Sequence, residues 1–502
     1  MMTIEIPAWV QDAIFYQIFP DRFLRSGRVP APGDLEDWHA APTYTGFKGG
    51  DLYGVAEKLD YLKDLGVSAL YFCPIFSSAS NHRYHTYDYF NVDPLLGGND
   101  ALKELLEKAH RRDMRVVLDG VFNHASRGFW QFHHVLENGA GSPYRDWFHF
   151  SPDRLSGEKP FQPYPADSAA DELTRGAGSF EAIGYSAWWN LPALPKFNTN
   201  CAEVREYLLS VAEYWIEFGI DGWRLDVPNE IDDDGFWREF RQRVRSINSE
   251  AYIVGEVWGE ARRWLQGDMW DAVMNYRITS ASIGFFSGPH LDLEESRRPG
   301  SFSGLSALNA REFADRVQLT LNEYDPQVVQ AQLNLLDSHD MPRFLTCCRG
   351  DIRSLQMAWL FLCTWPGVPC IYYGDEVGLE GRHDPDCRRG FPWDASEWND
   401  ELRTWYRDCI GLRREQLCSK SARPDVFFAE GQTVVFSHQE ADSTMISAFN
   451  AGTEHTEVSL PVTSLEGITG TVRLSLDSEL TATRDGSTLA LQLPPRTAAV
   501  IL

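Results

Sequence analysis

The sequence contains no run of roughly 18 consecutive apolar residues, the length a helix needs to cross a bilayer, so no transmembrane helix is expected. Its first residues, MMTIEIPAWVQDAIFYQIF, lack a basic stretch leading into a continuous apolar one, so they do not read as a secretory signal. No Cys-x-x-Cys pair occurs among the nine cysteines, an odd number, and the adjacent Cys347 and Cys348 are poorly placed for a structural disulfide. Reduced thiols in a cytoplasmic protein are the reading these features favour. Basic residues are scarce, 46 Lys and Arg against 72 Asp and Glu, which leaves a formal net charge of −26. Such a field repels nucleic acid and anionic membranes, so neither is an expected partner. Internal repeats and low-complexity tracts are also missing.

What is present is a chain of 502 residues with globular composition: 43% hydrophobic, 13% aromatic and 24% charged. That length accommodates two or three domains around a large core. Up to about residue 420, short apolar runs alternate with amphipathic helices. The runs are AIFYQIF (13–19), VSALYFCPIF (67–76), MRVVLDGVF (114–122), GIDGWRLDV (219–227), YIVGEVW (252–258), WDAVMNY (270–276), LNLLDSHD (333–340) and VPCIYYG (368–374). Most are nearly continuously apolar, as parallel strands covered on both faces should be. Between them Val55, Leu59 and Leu62, with Gly66 as a stop, predict a helix, as do Leu102, Leu105, Leu106 and Ala109. Asn200 and Glu203 have the spacing of a capping box opening a helix through Val204, Leu208, Val211 and Trp215.

Eight strands alternating with helices predict an α/β fold, a (β/α)8 TIM barrel. Residues 124–190, rich in Trp, His, Pro and Gly, are too long for an ordinary connection and predict a small inserted domain after strand 3. Beyond residue 420 the period becomes two: Val458, Leu460 and Val462, then Val472, Leu474 and Leu476, then Leu489, Leu491 and Leu493. This predicts a C-terminal antiparallel β domain. The expected divisions are 1–123 and 191–420 for the barrel, 124–190 for the insertion and 421–502 for the β domain.

Active sites of such barrels lie at the carboxyl ends of the strands. Here those ends carry Asp119 to His124, Arg224 and Asp226, Glu256, and His339 with Asp340. Breaking a glycosidic bond requires an acid for the leaving oxygen and a carboxylate for the cationic anomeric carbon. Asp226 and Glu256 end neighbouring strands and could face each other across one sugar. Arg224, two residues before Asp226, shares its face of the strand and should hold it ionised. The apolar neighbours Val257 and Trp258 should raise the pKa of Glu256.

The stretches DGVFNH (119–124), GWRLDV (222–227), GEVW (255–258) and LLDSHD (335–340) resemble, in order, the four conserved regions of the α-amylase superfamily, glycoside hydrolase family 13. LPKFN (194–198), SNHRYHTYDYF (80–90), DAVMNY (271–276) and DPDCRRGFPW (384–393) resemble signatures of its neopullulanase, cyclomaltodextrinase and maltogenic amylase group. The matches spread over most of the chain. The resemblance implies Asp226 as nucleophile, Glu256 as acid/base and Asp340 as transition-state stabiliser. It places His124, Arg224 and His339 around the reacting glucose, Tyr84 as its stacking ring, and Asp384 and Arg388 on the next sugar. Asp119 would brace Arg224. Asn229 and Glu230 match a motif associated with accepting both α-1,4 and α-1,6 bonds, although Pro228 stands where the group has Ala. His85 replaces the usual Asp, and Gly259 replaces a frequent His, which should open the acceptor side.

The activity implied is retaining hydrolysis of maltooligosaccharides, cyclodextrins or pullulan-like glucans. The alternative is transfer of the glucosyl chain to another sugar, since water and a sugar hydroxyl compete for the same covalent intermediate and the motifs do not choose between them. Non-catalytic relatives need not keep the three carboxylates that this chain has. The extra N-terminal β-sandwich of most of the group is missing, so its usual dimer is not expected and debranching members are the nearest match. No cofactor is expected. Some members bind calcium through a loop after the first strand, but residues 21–38 contain no Asn and only scattered acids. Asn123 is a remaining candidate ligand, and His133 with His134 make a poor zinc pair. Trp147, Trp188, Trp189 and Trp258 are candidate sugar platforms, one or two of which should serve, and Trp258 is counted with the substrate-binding residues.

Overall fold

The computed structural model describes residues 4–31, 33–298, 300–416, 423–440, 443–461 and 467–502. Its first 416 residues are organised by eight short parallel strands: β1 (Phe15–Ile18), β2 (Ala69–Phe72), β3 (Arg115–Gly120), β4 (Gly222–Leu225), β5 (Tyr252–Gly255), β6 (Ala272–Val273), β7 (Leu333–Leu335) and β8 (Val368–Tyr372). Each pairs with its sequence neighbours except β6 with β7, and β1 also pairs with β8. Met274, just past β6, bridges Leu333 of β7 in parallel and completes the ring. Apart from Arg115, every strand residue is buried, which is why the runs read as continuously apolar. Each of the eight predicted runs contains one strand.

Local chemistry sets the boundaries. Asp51 caps a helix at Leu52–Glu57 by accepting the Gly54 N–H (2.8 Å), and Gly66, left-handed at φ 101°, closes the next at Leu59–Leu65. The one helix expected over Val55 to Leu62 is therefore two, broken at Lys58. The helix Gly98–His110 buries Leu102, Leu105, Leu106 and Ala109 as predicted. The capping box predicted at Asn200 and Glu203 does not form. The helix Ala202–Phe218 starts from Cys201 without a side-chain cap, because Glu203 turns away to accept the Trp147 indole N–H (3.1 Å). Gly222 is required where β4 meets β5, since a Cβ there would lie 2.3 Å from the Tyr252 carbonyl oxygen.

After β3 the chain leaves the barrel and builds a small aromatic cluster of its own from Phe129, Phe132, Phe148, Phe150, Tyr185 and Phe197. Short bridges join Phe150 to Tyr185, Phe148 to Phe197 and His124 to Lys196, so pairing continues beyond residue 190. At the C-terminal end, strands 425–430, 433–440, 443–450, 497–501 and 472–475 form one sheet, and 456–461, 488–493 and 481–485 form another. Val458, Leu460, Leu489, Leu491 and Leu493 point into the space between them. Val462 lies outside the described residues. Phe436 and Phe449 seat this unit on the barrel helices through Phe313 and Phe286.

Candidate active site

The carboxyl ends of β3, β4, β5 and β7 deliver a buried polar cluster organised around one guanidinium. Arg224 Nη1 donates to both oxygens of Asp119 (2.9 Å each) and to Asp226 Oδ1 (2.9 Å). Its Nη2 lies 2.9 Å from Glu256 Oε2. Three carboxyls from three consecutive strands thus share one cation that is fully buried. Asp226 Oδ2 is buried with no hydrogen-bond donor, which leaves it free to approach a ligand atom. Gly255 lets this corner close, because a Cβ there would press on the Trp270 ring at 2.8 Å.

Val227, immediately after Asp226, is held at φ 36° and ψ 50°. A β-branched residue in this left-handed region costs about 1–3 kcal/mol. The conformation aims its N–H at Glu256 Oε2 (3.2 Å). Glu256 Oε1 accepts from Trp258 Nε1 (3.3 Å), and the Trp258 ring is fixed by near-parallel stacking on Tyr276 (4.0 Å, 6°). Trp258 therefore spends one face on packing and its N–H on the carboxyl.

Around this core, Gln17 Nε2 donates to His339 Nδ1 (2.8 Å), which makes the imidazole the Nε2–H tautomer. That Nε2 meets the Tyr84 hydroxyl and lies 3.1 Å from Asp340 Oδ2, while Tyr84 donates to Asp119 Oδ2 (2.9 Å). The Tyr84 and His339 rings stack at 5.4 Å and 3°. Arg388 bridges Asp340 Oδ1 (3.3 Å) and Asp384 Oδ1 (2.9 Å), and its Nε donates to the His339 carbonyl (2.8 Å). His124 is fully buried, its Nε2 without a partner.

The structure thus brings Tyr84, Arg224, Asp226, Glu256, Trp258, His339, Asp340, Asp384 and Arg388 into one connected network. Asn229 and Glu230 stand apart from it: both are exposed, and Glu230 is paired with Lys196 (3.0 Å). Trp147 is buried packing. Gln17 was missed by the sequence reading, although a lone amide inside the apolar run FYQI was a signal for it.

Charge counting governs protonation here. Burial pushes His124 down to about 3 and His339 well below the usual imidazole range, so both are neutral. One guanidinium then faces Asp119, Asp226 and Glu256. Burial raises all three carboxyls, Asp119 to about 6. The expectation that Arg224 holds Asp226 low is corrected: desolvation outweighs the guanidinium, and Asp226 is raised well above the ordinary carboxylate range. Glu256 is raised as expected, also by burial. A proton is therefore held by the cluster as a whole.

The Trp258 N–H favours ionised Glu256. Its removal in Trp258→Phe should raise the Glu256 pKa. If Glu256 is the general acid, which works while protonated, the alkaline limb of kcat/KM should move to higher pH, by roughly 0.4–1 unit for one hydrogen bond. A pH–rate profile with an unmoved limb would contradict the assignment.

Residues 17–411 match the family model for the α-amylase catalytic domain. A cyclomaltodextrinase of Geobacillus thermopakistaniensis is 40% identical over 497 residues, covering 98% of this chain and 77% of its own. The crystal structure of a Nostoc punctiforme debranching enzyme superposes with a TM-score of 0.88 at 45% identity, covering all of both chains. Cyclic α-maltosyl-(1→6)-maltose hydrolase from Arthrobacter globiformis superposes at 0.83 with 33% identity and 99% of each chain covered. Three strand ends carrying acids on a shared arginine, with a fourth acid at the end of β7 beside them, in a chain this similar to these enzymes, place the protein in the α-amylase family of glycoside hydrolases.

Proposed function

We propose that this hydrolase cleaves α-1,4 and α-1,6 glucosidic bonds in maltooligosaccharides, cyclodextrins or pullulan-like glucans, with net retention. The observation that carries the reading is the free Asp226 Oδ2 beside a Glu256 held on the same guanidinium. In the first step Asp226 Oδ2 bonds to the anomeric carbon while the Glu256 proton passes to the leaving oxygen. Positive charge growing at that carbon favours ionised Asp226 and drives the shared proton towards Glu256. In the second step Glu256 takes a proton from water, which displaces Asp226. Asp340, held by Arg388 and His339, would bind sugar hydroxyls beside the reacting carbon. The unpartnered His124 Nε2 is placed to meet another.

Similarity to a debranching enzyme and to a hydrolase of a (1→6)-linked cyclic sugar supports action on α-1,6-linked glucans, and similarity to a cyclomaltodextrinase supports action on cyclodextrins. Transfer to a sugar acceptor is favoured by one observation: Gly259 is exposed, and a Cβ there would meet nothing within 4 Å. Product profiles on β-cyclodextrin, pullulan and a branched maltooligosaccharide, with the first anomer followed by NMR, test the reading. Initial release of the β-anomer would overturn retention, and no turnover of any of the three would overturn the substrate class.

The reading includes independence from calcium. Among the described residues no group of three or more His, Cys, Asp or Glu is placed to hold a metal ion. Asp21 already accepts the N–H groups of Lys48 (2.9 Å) and Gly49 (3.1 Å) and pairs with Arg22. Exhaustive chelation should leave turnover and melting temperature nearly unchanged, and a large loss restored by added calcium would reveal a site. A cytoplasmic location is supported by the eight described cysteines, all free and seven of them buried. Among the described residues no helix is long and apolar enough to cross a membrane.

A further inference from the structure

Trp189 is 70% exposed, an unusual position for the largest apolar side chain. Its backbone is left-handed (φ 50°, ψ 26°), and Asn190 follows at φ 57°. Hydrogen bonds hold this turn in place. Asn190 Oδ1 accepts the Ser179 N–H (2.9 Å), Ser179 Oγ accepts the Ala187 N–H (2.8 Å), and the Leu191 N–H donates to the Trp188 carbonyl (2.9 Å). The outcome is a pile of flat rings. His124, inside the site, stacks on Trp188 (5.2 Å, 11°), and Trp188 stacks on Trp189 (4.6 Å, 9°), whose other face meets solvent.

A strained backbone that displays an indole, instead of burying it, points to a ligand for that indole. The ring pile is continuous with His124, at the carboxyl end of β3 where the active site lies, and its buried Nε2 has no partner among the described residues, so the ligand is an extension of whatever that site holds. A pyranose offers a flat C–H face that packs on an indole without needing a particular linkage. We propose that the outer face of Trp189 is a stacking platform for a glucose unit remote from the bond being cut, so that the insertion favours long chains over short ones. This rests on the α-glucan reading above.

The test compares kcat/KM for maltoheptaose with that for maltotriose. Trp189→Gly removes the ring at a left-handed position that glycine adopts without strain, so folding should survive, as a melting curve would verify. The ratio should fall roughly tenfold, the scale of one aromatic contact. Trp189→Tyr should restore most of it, and Trp130→Ala, at a ring 60% exposed elsewhere in the insertion, should leave it unchanged. In an Asp226→Asn background, Trp189→Gly should weaken maltoheptaose binding by a similar factor, read by calorimetry. An unchanged ratio, or an equal loss on both substrates, would overturn the platform. Failure of the unmodified enzyme to cleave either substrate would instead bring down the α-glucan reading, and the platform with it.

Discussion

Asp226→Asn should abolish formation of a glycosyl–enzyme from any substrate, with a rate loss on the order of 10⁴-fold or more. An amide oxygen is a poor nucleophile, and no other group in the cluster can replace it. Asp119 has both oxygens on Arg224, and Asp340 is held by Arg388 and His339. The fold should tolerate the change. The carboxyl is one of three that crowd a single guanidinium, and neutralising it relieves repulsion from Glu256 and Asp119, so the melting temperature should not fall. Trapping the unmodified enzyme with a fluorinated glycosyl donor, followed by mass spectrometry of the labelled peptide, checks the assignment. A label on any residue other than Asp226 would overturn the mechanism.

Glu256→Gln should behave differently. On natural glucans the loss should be about 10²–10⁴-fold, the contribution of a positioned general acid. A donor with an activated leaving group needs little protonation, so its first step should survive. The second step then lacks a base for water, and the glycosyl–enzyme should accumulate. Added azide, which needs no base, should release it as the glycosyl azide of retained configuration. Burst kinetics and product NMR read both effects. A Glu256→Gln variant that loses equally on natural and activated substrates, with no accumulation, would show that Glu256 is not the acid.

Much of this was legible in the chain. Covalent spacing puts Arg224 and Asp226 on one face of β4, and continuous apolar runs identified eight strands buried on both faces. The order of those strands around the barrel follows from their order in sequence, so the ends that carry Asp119, Asp226, Glu256 and Asp340 could be named before any coordinate was known. Each of these inferences uses residues a few positions apart, or the simple alternation of strand and helix.

Where the local signal ended, packing decided. Glu203 had the spacing of a cap partner, yet the indole of Trp147, 56 residues away, took its carboxylate. Val227 gave no sign of its left-handed backbone, in which its N–H meets Glu256 at the end of the next strand. Trp188 and Trp189 read alike, but only the turn pinned by Ser179 and Asn190 exposes one ring and sandwiches the other. The protonation of the site departed furthest from the sequence reading. Spacing showed that Arg224 could reach Asp226. Only the assembled barrel showed that the same cation serves Asp119 and Glu256 as well, and that all of them are buried. A carboxyl's pKa depends on the sum of every nearby charge and on the solvent it has lost, and both are properties of the folded interior.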